Sequence, residues 1–414
     1  MSQYHSDSNG SLPRWLKIFE SLSYPDMRVL SISTLSNQIS QGLQQVILGY
    51  MVLMLTDSHI MVGMVYATRS APNLLVGLVA GSVTDRIDRR VLMSFTIWSM
   101  AVVSLLMAGL VFVGQLTVWG LIFTTFMLGC FQAFYMTARQ VYVYDLVGST
   151  GAVNGIAITS FAQRLGQIVG ALAGGFLLHW AGPTVTFLFM ALCFILGGVA
   201  ARYLKRQGES APGVREGLSE NISNYFKALR TNRLMLILII STALAETFGF
   251  SHQVLLPILA QDVLHVGSIG LGVLTAFRFV GGAIGVISLA AVGDYIGKGK
   301  ILIGLLVLFG VGQMLMSFSG TMWMAIMFVM LTNMMAASSD VLHQSLLQLS
   351  VPNEQRGRAM GSWIVGIGSA PLGQLQIGYI SGSVGPQISL IVNGGILIIS
   401  AVIMGSASPK LRRL

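Results

Sequence analysis

Several ionisable side chains stand inside long apolar stretches of this sequence, among them Arg69, Glu246, Arg278 and Asp340. An ionisable group at the centre of a lipid bilayer costs about 2.5 to 3.5 kcal/mol, so each of them requires a partner or a water-filled cavity. The guanidinium of arginine binds carboxylates and phenolates through a fixed fork of donors. The two arginines therefore predict a paired binding site for an anionic or acceptor-rich molecule, or else structural ion bridges to Glu246 and Asp340.

The two carboxylates suggest a second kind of chemistry. A carboxylate in apolar surroundings that gains and loses an arginine partner also takes up and releases protons. Glu246 and Asp340 are therefore predicted to couple proton movement to ligand binding, with a static ion bridge as the alternative. Arg164 lies at a similar depth in its own apolar run and is a further, unpaired candidate for ligand binding.

Amide side chains mark another apolar run with helical periodicity. Asn37, Gln41 and Gln44 recur at the spacing of one helix face, with Gln38 and Gln45 beside them. Amides both donate and accept hydrogen bonds, which suits a polar organic molecule better than a bare ion. This face is predicted to line a cavity, and hydrogen bonding between helices is the alternative. The histidines and cysteines show no spacing typical of a metal site, and no cofactor is predicted.

Composition predicts the elements that position these residues. Of the 414 residues, 54% are hydrophobic and only 9% are charged, whereas about a quarter are charged in a typical soluble domain. Apolar runs of about 20 residues recur along the chain, which is the length of a helix that crosses a bilayer. The predicted fold class is therefore an all-α membrane protein. The net charge of +9 is explained by membrane topology, so no nucleic acid partner is predicted.

The apolar runs fall into two groups of six. They lie near residues 27–55, 60–83, 91–113, 117–143, 153–179 and 184–204, and near 234–262, 268–292, 301–319, 321–348, 358–382 and 386–407. The predicted domains are an N-terminal arm (1–26), a first six-helix bundle (27–204), a central loop (205–233) with a surface helix near 222–229, a second six-helix bundle (234–407) and a basic tail (408–414).

The positions of the basic residues predict the orientation in the membrane. Of the 24 lysines and arginines, Arg69, Arg139, Arg164 and Arg278 lie within segments. The other 20 lie in or beside the arm, the tail and the loops after segments 2, 6, 8 and 10. Because positive charge is retained on the cytoplasmic side, both termini are predicted to be cytoplasmic.

The two groups of segments are related to each other in sequence. A constant shift of 209 residues places Arg69 over Arg278 and Asp85 over Asp294. Tandem halves related by an axis along the membrane normal are typical of one large class of secondary transporters. In such an arrangement the two arginines face one central cavity from opposite sides.

The charged turn after segment 2 resembles the signature of the major facilitator superfamily. That signature is Gly, three residues, Asp, a basic residue, any residue, Gly and two basic residues, and Asp88 stands where the family has its second Gly. The matching residues are Gly81, Asp85, Arg86, Arg89 and Arg90, and a weaker copy after segment 8 contains Asp294 and Lys298. The resemblance covers essentially the whole chain and implies a twelve-helix fold in which both turns act in gating.

Two further stretches resemble particular members of this superfamily. Residues 351–361 are similar to the turn after helix 10 in the branch that contains enterobactin exporters and macrolide efflux proteins. Segment 5 resembles the glycine-rich signature of exchangers and drug exporters, with Ala171 in place of its usual proline. Its glycines are Gly166, Gly170, Gly174 and Gly175. Small residues at this spacing allow two helices to pack backbone to backbone, which is also their role in many other membrane proteins.

Together these features predict a monomeric secondary transporter of the bacterial inner membrane. It is expected to export an amphipathic organic compound, a drug-like molecule or a siderophore, by alternating access and in exchange for protons. The predicted substrate-binding residues are Asn37, Gln41, Gln44, Arg69, Arg164 and Arg278. An uptake permease for a small organic anion and a membrane sensor without flux are the alternatives. No enzyme is predicted, because the chain has no nucleotide loop, metal set or activated nucleophile.

Overall fold

Helices make up almost all of the part of the chain that the computed structural model describes. That part comprises residues 21–76, 80, 83–84, 86–206, 232–293, 297–351 and 363–413. The N-terminal set of helices is α1 (Pro25–Thr56), α2 (His59–Leu75), α3 (Arg89–Phe112), α4 (Val118–Gly148), α5 (Asn154–Trp180) and α6 (Gly182–Arg202). The break between α4 and α5 is at Gly148, where φ is 68° and ψ is 179°, a conformation open to glycine.

The C-terminal set repeats this arrangement after the central loop. It consists of α7 (Arg233–Val263), α8 (Gly267–Val292), α9 (Lys298–Met316), α10 (Met322–Leu349), α11 (Ala370–Val384) and α12 (Pro386–Ala407). Within the described residues, ten of these helices are long and apolar enough to cross a membrane. The other two, α2 and α11, have 17 and 15 residues. Twelve spans and the location of the termini remain predictions.

Equivalent helices pair in the two sets. In the N-terminal set α1 packs on α5, α2 on α4 and α3 on α6, and in the C-terminal set α7 packs on α11, α8 on α10 and α9 on α12. Glycines stand at these contacts. For example, a Cβ atom at Gly129 of α4 would lie 2.8 Å from the carbonyl oxygen of Arg69, and one at Gly281 of α8 would lie 2.7 Å from the Cα atom of Met330. Equivalent helices therefore pack in the same way in the two sets.

The glycines of α5 bring this helix against two different neighbours. A Cβ atom at Gly166 would stand 2.7 Å from the carbonyl oxygen of Leu35 in α1, and Gly170 and Gly174 also face the α1 backbone. Gly175 instead faces the C-terminal set, where a Cβ atom would lie 2.9 Å from the Cα atom of Gly272 in α8. One glycine run thus holds α5 both within its own set and against the other set.

Replacing Gly170 with valine is expected to destabilise the fold. The new side chain would collide with the main chain of Ile39, which cannot rotate away, and overpacking of this kind costs about 1 to 3 kcal/mol. The matched control is Gly109→Val in α3, where a Cβ atom has nothing within 4 Å. Thermal unfolding of the purified variants in detergent measures the effect, and an equal loss in both variants would show that helix propensity, not packing, is responsible.

Helix α7 is irregular where it carries a predicted functional residue. Its α-helical start, Arg233–Leu244, is followed by a π-helical turn, Ala245–Gly249, and a 3₁₀ turn, Phe250–Val254. Glu246 lies in the π-helical turn. Such turns shift the register of the following side chains and are frequent at functional sites.

The predicted tail differs from expectation. Within residues 408–414, which were expected to form only a basic tail, Pro409–Arg413 forms a short helix, α13. Its Leu411 is fully buried against the start of α9, where Gly299 leaves room for the Leu411 main chain. The correction has a simple cause, because one apolar residue in a charged stretch is invisible to hydropathy. The predicted arm, except its last six residues, and the surface helix near 222–229 lie outside the described residues.

Candidate functional site

Arg69 and Arg278 approach the same region from opposite sets of helices. Nη2 of Arg69 donates a hydrogen bond to Oε1 of Gln41 at 3.2 Å, and Nη2 of Arg278 donates to Oε1 of Gln253 at 2.9 Å. The Tyr66 side chain is buried within electrostatic range of both guanidinium groups. The arginines thus occupy equivalent places, and each is held by a glutamine on the first helix of its own set.

Amide side chains make contacts beside both arginines, and one pair of them joins the two sets. Nε2 of Gln45 in α1 donates to Oε1 of Gln253 in α7 at 3.2 Å, the same oxygen that accepts from Arg278. On the other side Nε2 of Gln41 donates to Oε1 of Gln132 in α4 at 3.1 Å. Amide contacts of this kind rearrange without moving charge, so they suit a junction between two bodies that rock against each other.

The space beside Arg69 is a polar cavity of about 240 Å³. Glutamine amides dominate its walls and few apolar side chains reach it. The lining residues are Gln38, Gln41, Gln44, Gln45, Arg69, Ser70, Asn73, Leu128, Gly129, Gln132, Met136, Gln163 and Gln167. We call this space the N-lobe.

A second space of about 180 Å³ lies beside Arg278 and is called the C-lobe. It carries more charge and two aromatic rings. The lining residues are Arg164, Gln167, Phe250, Arg278, Phe279, Gly282, Asn333, Ala337 and Asp340. Gln167 of α5 lines both lobes, so the two spaces are neighbours within one central region between the sets.

The two carboxylates predicted for proton coupling are half-buried and lie on the side of the C-lobe. Asp340 accepts hydrogen bonds from Nε1 of Trp363 and Nε2 of Gln344, both at 3.2 Å, and lies within electrostatic range of Arg164 across the lobe. Glu246 lies within electrostatic range of Asp340 and of Arg278. Arg69 and Arg278 donate hydrogen bonds to glutamines. The alternative prediction was that they form direct ion bridges to these carboxylates.

Asn37 requires a correction. Its side chain is fully buried and is not among the residues that line the N-lobe. The reason is the rotation of α1, whose Ser33 and Ser40 donate hydrogen bonds to the carbonyl oxygens of Gly197 and Met190 in α6. Asn37 lies on that same face, whereas Gln41 and Gln44 reach the cavity.

Three residues that line the lobes carry buried donors without a hydrogen-bond partner in the described part of the chain. Among the described residues that line them, each buried side-chain atom without a hydrogen-bond partner is a nitrogen. These atoms are Nε and Nη1 of Arg278 and the Nε2 atoms of Gln38 and Gln44. A buried donor left unpaired costs about 1 to 3 kcal/mol, more when it is charged, so the site is suited to a ligand that brings acceptors.

One end of the region between the sets is closed by a cluster that we call the outer seal. Nε2 of His59 in α2 lies 2.8 Å from Oδ2 of Asp262 in α7, and Nδ1 lies 3.1 Å from the carbonyl oxygen of Ser381 in α11. Nearby, a Cβ atom at Gly63 would stand 3.1 Å from the Cα atom of Gly378. The seal lies at the end predicted to be external, beyond both lobes.

Replacing Asp262 with asparagine is expected to loosen the outer seal. The contact between His59 and Asp262 is partly exposed, and a contact of this kind contributes at most about 1 kcal/mol, so the outward-open population should rise by up to about fivefold. The measurement is labelling of Ser70→Cys in the N-lobe by a membrane-impermeant thiol reagent from outside, with Cys130 and Cys193 replaced by alanine. Asp57→Asn is the control, because Asp57 is exposed at the same end of the protein. Equal labelling of both variants would contradict a role for the pair.

At the opposite end, basic residues of the predicted gating turn form hydrogen bonds to other residues of the N-terminal set. Nη1 of Arg89 donates to both carboxylate oxygens of Asp145 at the end of α4, at 2.7 and 2.6 Å. Asp88 caps α3 by accepting a hydrogen bond from the Arg90 main-chain nitrogen at 2.9 Å. Arg86 is exposed. The turn thus ties helix ends together at what we call the basic end.

The remaining predicted gating residues are described only in part. Lys298 is the first residue of α9, directly after Gly297. Gly81, Asp85 and Asp294 lie outside the described residues. The gating role of both turns therefore remains a prediction.

Sequence reasoning missed several residues that the structure brings to the site. Gln163 and Gln167 in α5 and Gln132 in α4 line the N-lobe. Their signal was present, since Gln163 and Gln167 stand one helical turn apart and flank Arg164. Tyr66 lies one turn before Arg69 and donates a hydrogen bond to the main-chain oxygen of Gln45 at 3.1 Å. In the described part of the chain, no group of three or more His, Cys, Asp or Glu side chains could hold a metal ion.

The fold, with its two related helix sets around a polar cavity, is that of the major facilitator transporters. A variant of the nucleoside transporter NupG superposes with a TM-score of 0.78 at 13% identity, covering 92% of this chain and 99% of that chain. A bacterial homologue of the lysosomal transporter Spinster, solved in an inward-facing and unoccupied conformation, gives a TM-score of 0.72 at 13% identity, covering 92% and 96%. At this identity the two structures show the fold alone.

The family is defined more narrowly by sequence. A family model described as transmembrane secretion effector matches residues 18–412, so the chain belongs to this family of membrane transporters. The staphyloferrin A transporter of Staphylococcus aureus is 26% identical over 337 residues, covering 80% of this chain and 83% of that protein. The enterobactin exporter EntS of Citrobacter koseri is 24% identical over 94% of both chains. The multidrug efflux pump Tap of Mycolicibacterium fortuitum is 22% identical over 93% and 96%.

Proposed function

We propose that this transporter exports a polar organic molecule of the siderophore type, which carries several anionic or acceptor groups. The observation that carries the proposal is the set of unpaired donors on Arg278, Gln38 and Gln44 in lobes that also hold Arg69 and Arg164. Carboxylate, catecholate and hydroxyl oxygens would satisfy these donors. Relatives that transport staphyloferrin A or export enterobactin support the same class of substrate.

Outward transport is supported by the relatives that are named an enterobactin exporter and a multidrug efflux pump, and the state of the protein is compatible with it. The outer seal is closed, and the lobes lie between it and the basic end, which is predicted to be cytoplasmic. This state suits loading from inside the cell, and rocking of the two sets would then open the outer seal. We propose that protons entering from outside reset the cycle through Glu246 or Asp340.

Uptake of an organic anion together with protons is the second candidate. It is favoured by the position of Glu246, which is within electrostatic range of Arg278. An anion bound at Arg278 cancels the positive charge that favours the Glu246 carboxylate, so anion and proton would bind together. If the anion and the proton bind together, an inward flow of protons drives the anion inward. Export driven by the same flow requires instead that substrate and proton compete for binding.

Transport in inside-out membrane vesicles tests the proposal. The substrates are iron-free staphyloferrin A, iron-free enterobactin and the lipophilic cation ethidium, each measured with and without an acidic lumen. We expect accumulation of at least one siderophore above vesicles without the protein, increased by the acidic lumen, and no accumulation of ethidium. Ethidium transport alone would overturn the anionic site. Accumulation only in intact cells would favour uptake, and absence of flux in both systems would favour a sensor.

A further inference from the structure

A groove on the outer surface of the N-terminal set combines arginines with apolar side chains. It lies between α3 and the end of α6, near the basic end, and has a volume of about 410 Å³. Arg90, Ser94, Trp98 and Arg202 line it together with Val91 and Phe95. These residues are separate from those that line the two central lobes.

Arg202 is arranged to present its donors at this groove. Its guanidinium carbon lies 4.8 Å from the centroid of the Trp98 ring, and the residue is exposed. The ring itself packs on α6 at Gly198, where a Cβ atom would be only 3.0 Å away. Stacking occupies the face of a guanidinium and leaves its edge, which carries the N–H groups, available for an anion.

Arg90 provides a second positive charge beside the first. Its Nη1 donates to the carbonyl oxygens of Leu204 at 3.2 Å and of Lys205 at 3.4 Å, which anchors the side chain at the end of α6. Its Nη2 lies 3.5 Å from Oδ2 of Asp88, which partly balances its charge. Arg202 therefore contributes most of the attraction for an anion, and Arg90 adds to it.

A purely apolar groove adjoins the basic one. Its volume is about 330 Å³, and Ile87, Leu92, Phe131 and Phe134 are among its lining residues. Both grooves share Val91 and Phe95, which form an exposed ridge between them with exposed fractions of 52% and 61%.

We propose that these grooves bind one anionic phospholipid, with its phosphate at Arg202 and Arg90 and an acyl chain across the ridge in the apolar groove. Basic pockets between helices on the cytoplasmic side attract anionic headgroups, at about 1 kcal/mol for each arginine. A soluble phosphate would leave the adjoining apolar groove unfilled. Farther along α3, Val102 is 63% exposed, which extends the same apolar surface toward the bilayer interior. The bound lipid joins α3 to α6.

Native mass spectrometry of the full chain in neutral detergent tests this site. Phosphatidylglycerol and phosphatidylcholine with identical acyl chains are added separately to the wild-type protein. We expect phosphatidylglycerol to bind about fivefold more tightly, because only it has a net negative charge. Equal binding of the two lipids would overturn the proposal without reference to any variant. Displacement of phosphatidylglycerol by inorganic phosphate would show a free phosphate site in place of a lipid site.

Two variants locate the lipid on the protein. Arg202→Gln is expected to lower phosphatidylglycerol binding about fivefold. Arg412→Gln is the matched control and should leave binding unchanged, since it removes one exposed positive charge in a different part of the chain. Both variants must elute as the wild type does in gel filtration. If both variants lost phosphatidylglycerol binding equally, the lipid would be attracted by the overall charge of the protein. That result would overturn the assignment of the lipid to this groove.

Discussion

Replacing Arg278 with glutamine is expected to abolish export of the siderophore that the wild type transports. The substitution removes Nε and Nη1, which have no hydrogen-bond partner among the described residues, and the bond from Nη2 to Gln253. A hydrogen bond to a charged group is worth about 1.5 to 3 kcal/mol, so substrate affinity should fall by about ten- to a hundredfold. Vesicle transport and equilibrium binding to the purified protein measure the loss.

Three companion variants show whether the loss at Arg278 reflects binding. Arg278→Lys keeps the charge but not the fork of donors, and we expect it to restore only part of the affinity. Arg69→Gln should resemble Arg278→Gln, since Arg69 holds the equivalent place in the other set. Arg412→Gln, far from the lobes, should behave as wild type. Unchanged affinity with slow transport in Arg278→Gln would identify Arg278 as a structural link between α8 and α7.

The pattern of hydropathy and charge was sufficient to predict the helix order. The predicted segment 234–262 corresponds to Arg233–Val263, and 386–407 corresponds to Pro386–Ala407. These limits are set by the length of apolar chain that a bilayer accommodates, a property that each segment carries locally. The shift of 209 residues predicted that the two sets are related, and the structure shows that equivalent helices pair in both.

Local breaks in the helices could not be predicted in the same way. Segment 358–382 was predicted as one run, yet α11 begins only at Ala370, after a turn at Gly368 and Ser369. The Ser369 hydroxyl donates to the carbonyl oxygen of Ala243 at 3.0 Å, so a neighbouring helix stabilises the break. The π-helical turn that contains Glu246 has no hydropathy signal either. Both features depend on tertiary contacts, which an apolar run does not encode.

The candidate site was predictable where symmetry supplied a second observation. Arg69 and Arg278 were paired by the repeat, and the structure places both at the central region. Asn37 was wrongly predicted to line the cavity, because helical periodicity alone cannot choose between adjacent faces of α1. Hydrogen bonds from Ser33 and Ser40 hold the face that carries Asn37 against α6. Gln132 was missed because a single amide within an apolar run has no periodic partner.

Glutamine side chains connect the two lobes. Gln167 lines both lobes, and its Nε2 donates to Oε1 of Gln38 at 3.1 Å. Gln253 accepts from both Gln45 and Arg278. The unpaired Nε and Nη1 of Arg278 are thus one hydrogen bond away from the amide contact between α1 and α7. In the proposed export cycle, a substrate can favour rocking of the two sets only if its contacts differ between the two states, and this amide contact is our candidate for that difference.

Replacing Glu246 with glutamine is expected to uncouple transport from the pH gradient. The variant cannot exchange a proton at this position, whereas its size and hydrogen-bonding capacity are nearly conserved. In vesicles we expect exchange of labelled for unlabelled substrate to persist, while accumulation driven by the gradient falls at least tenfold. Asp340→Asn is the parallel variant, and Asp57→Asn, at the exposed outer end, is the control.

The direction of the gradient then separates the two mechanisms. In inside-out vesicles, an acidic lumen drives accumulation if protons and substrate move in opposite directions, and an alkaline lumen drives it if they move together. Glu246 lies within electrostatic range of Arg278, which favours movement of an anion together with a proton. Asp340 lies opposite Arg164, and a cationic group of the substrate would compete with a proton for its carboxylate, which favours movement in opposite directions. Normal gradient-driven accumulation in Glu246→Gln would remove Glu246 from the coupling mechanism. If Asp340→Asn also showed normal accumulation, both carboxylates would be removed from the coupling mechanism.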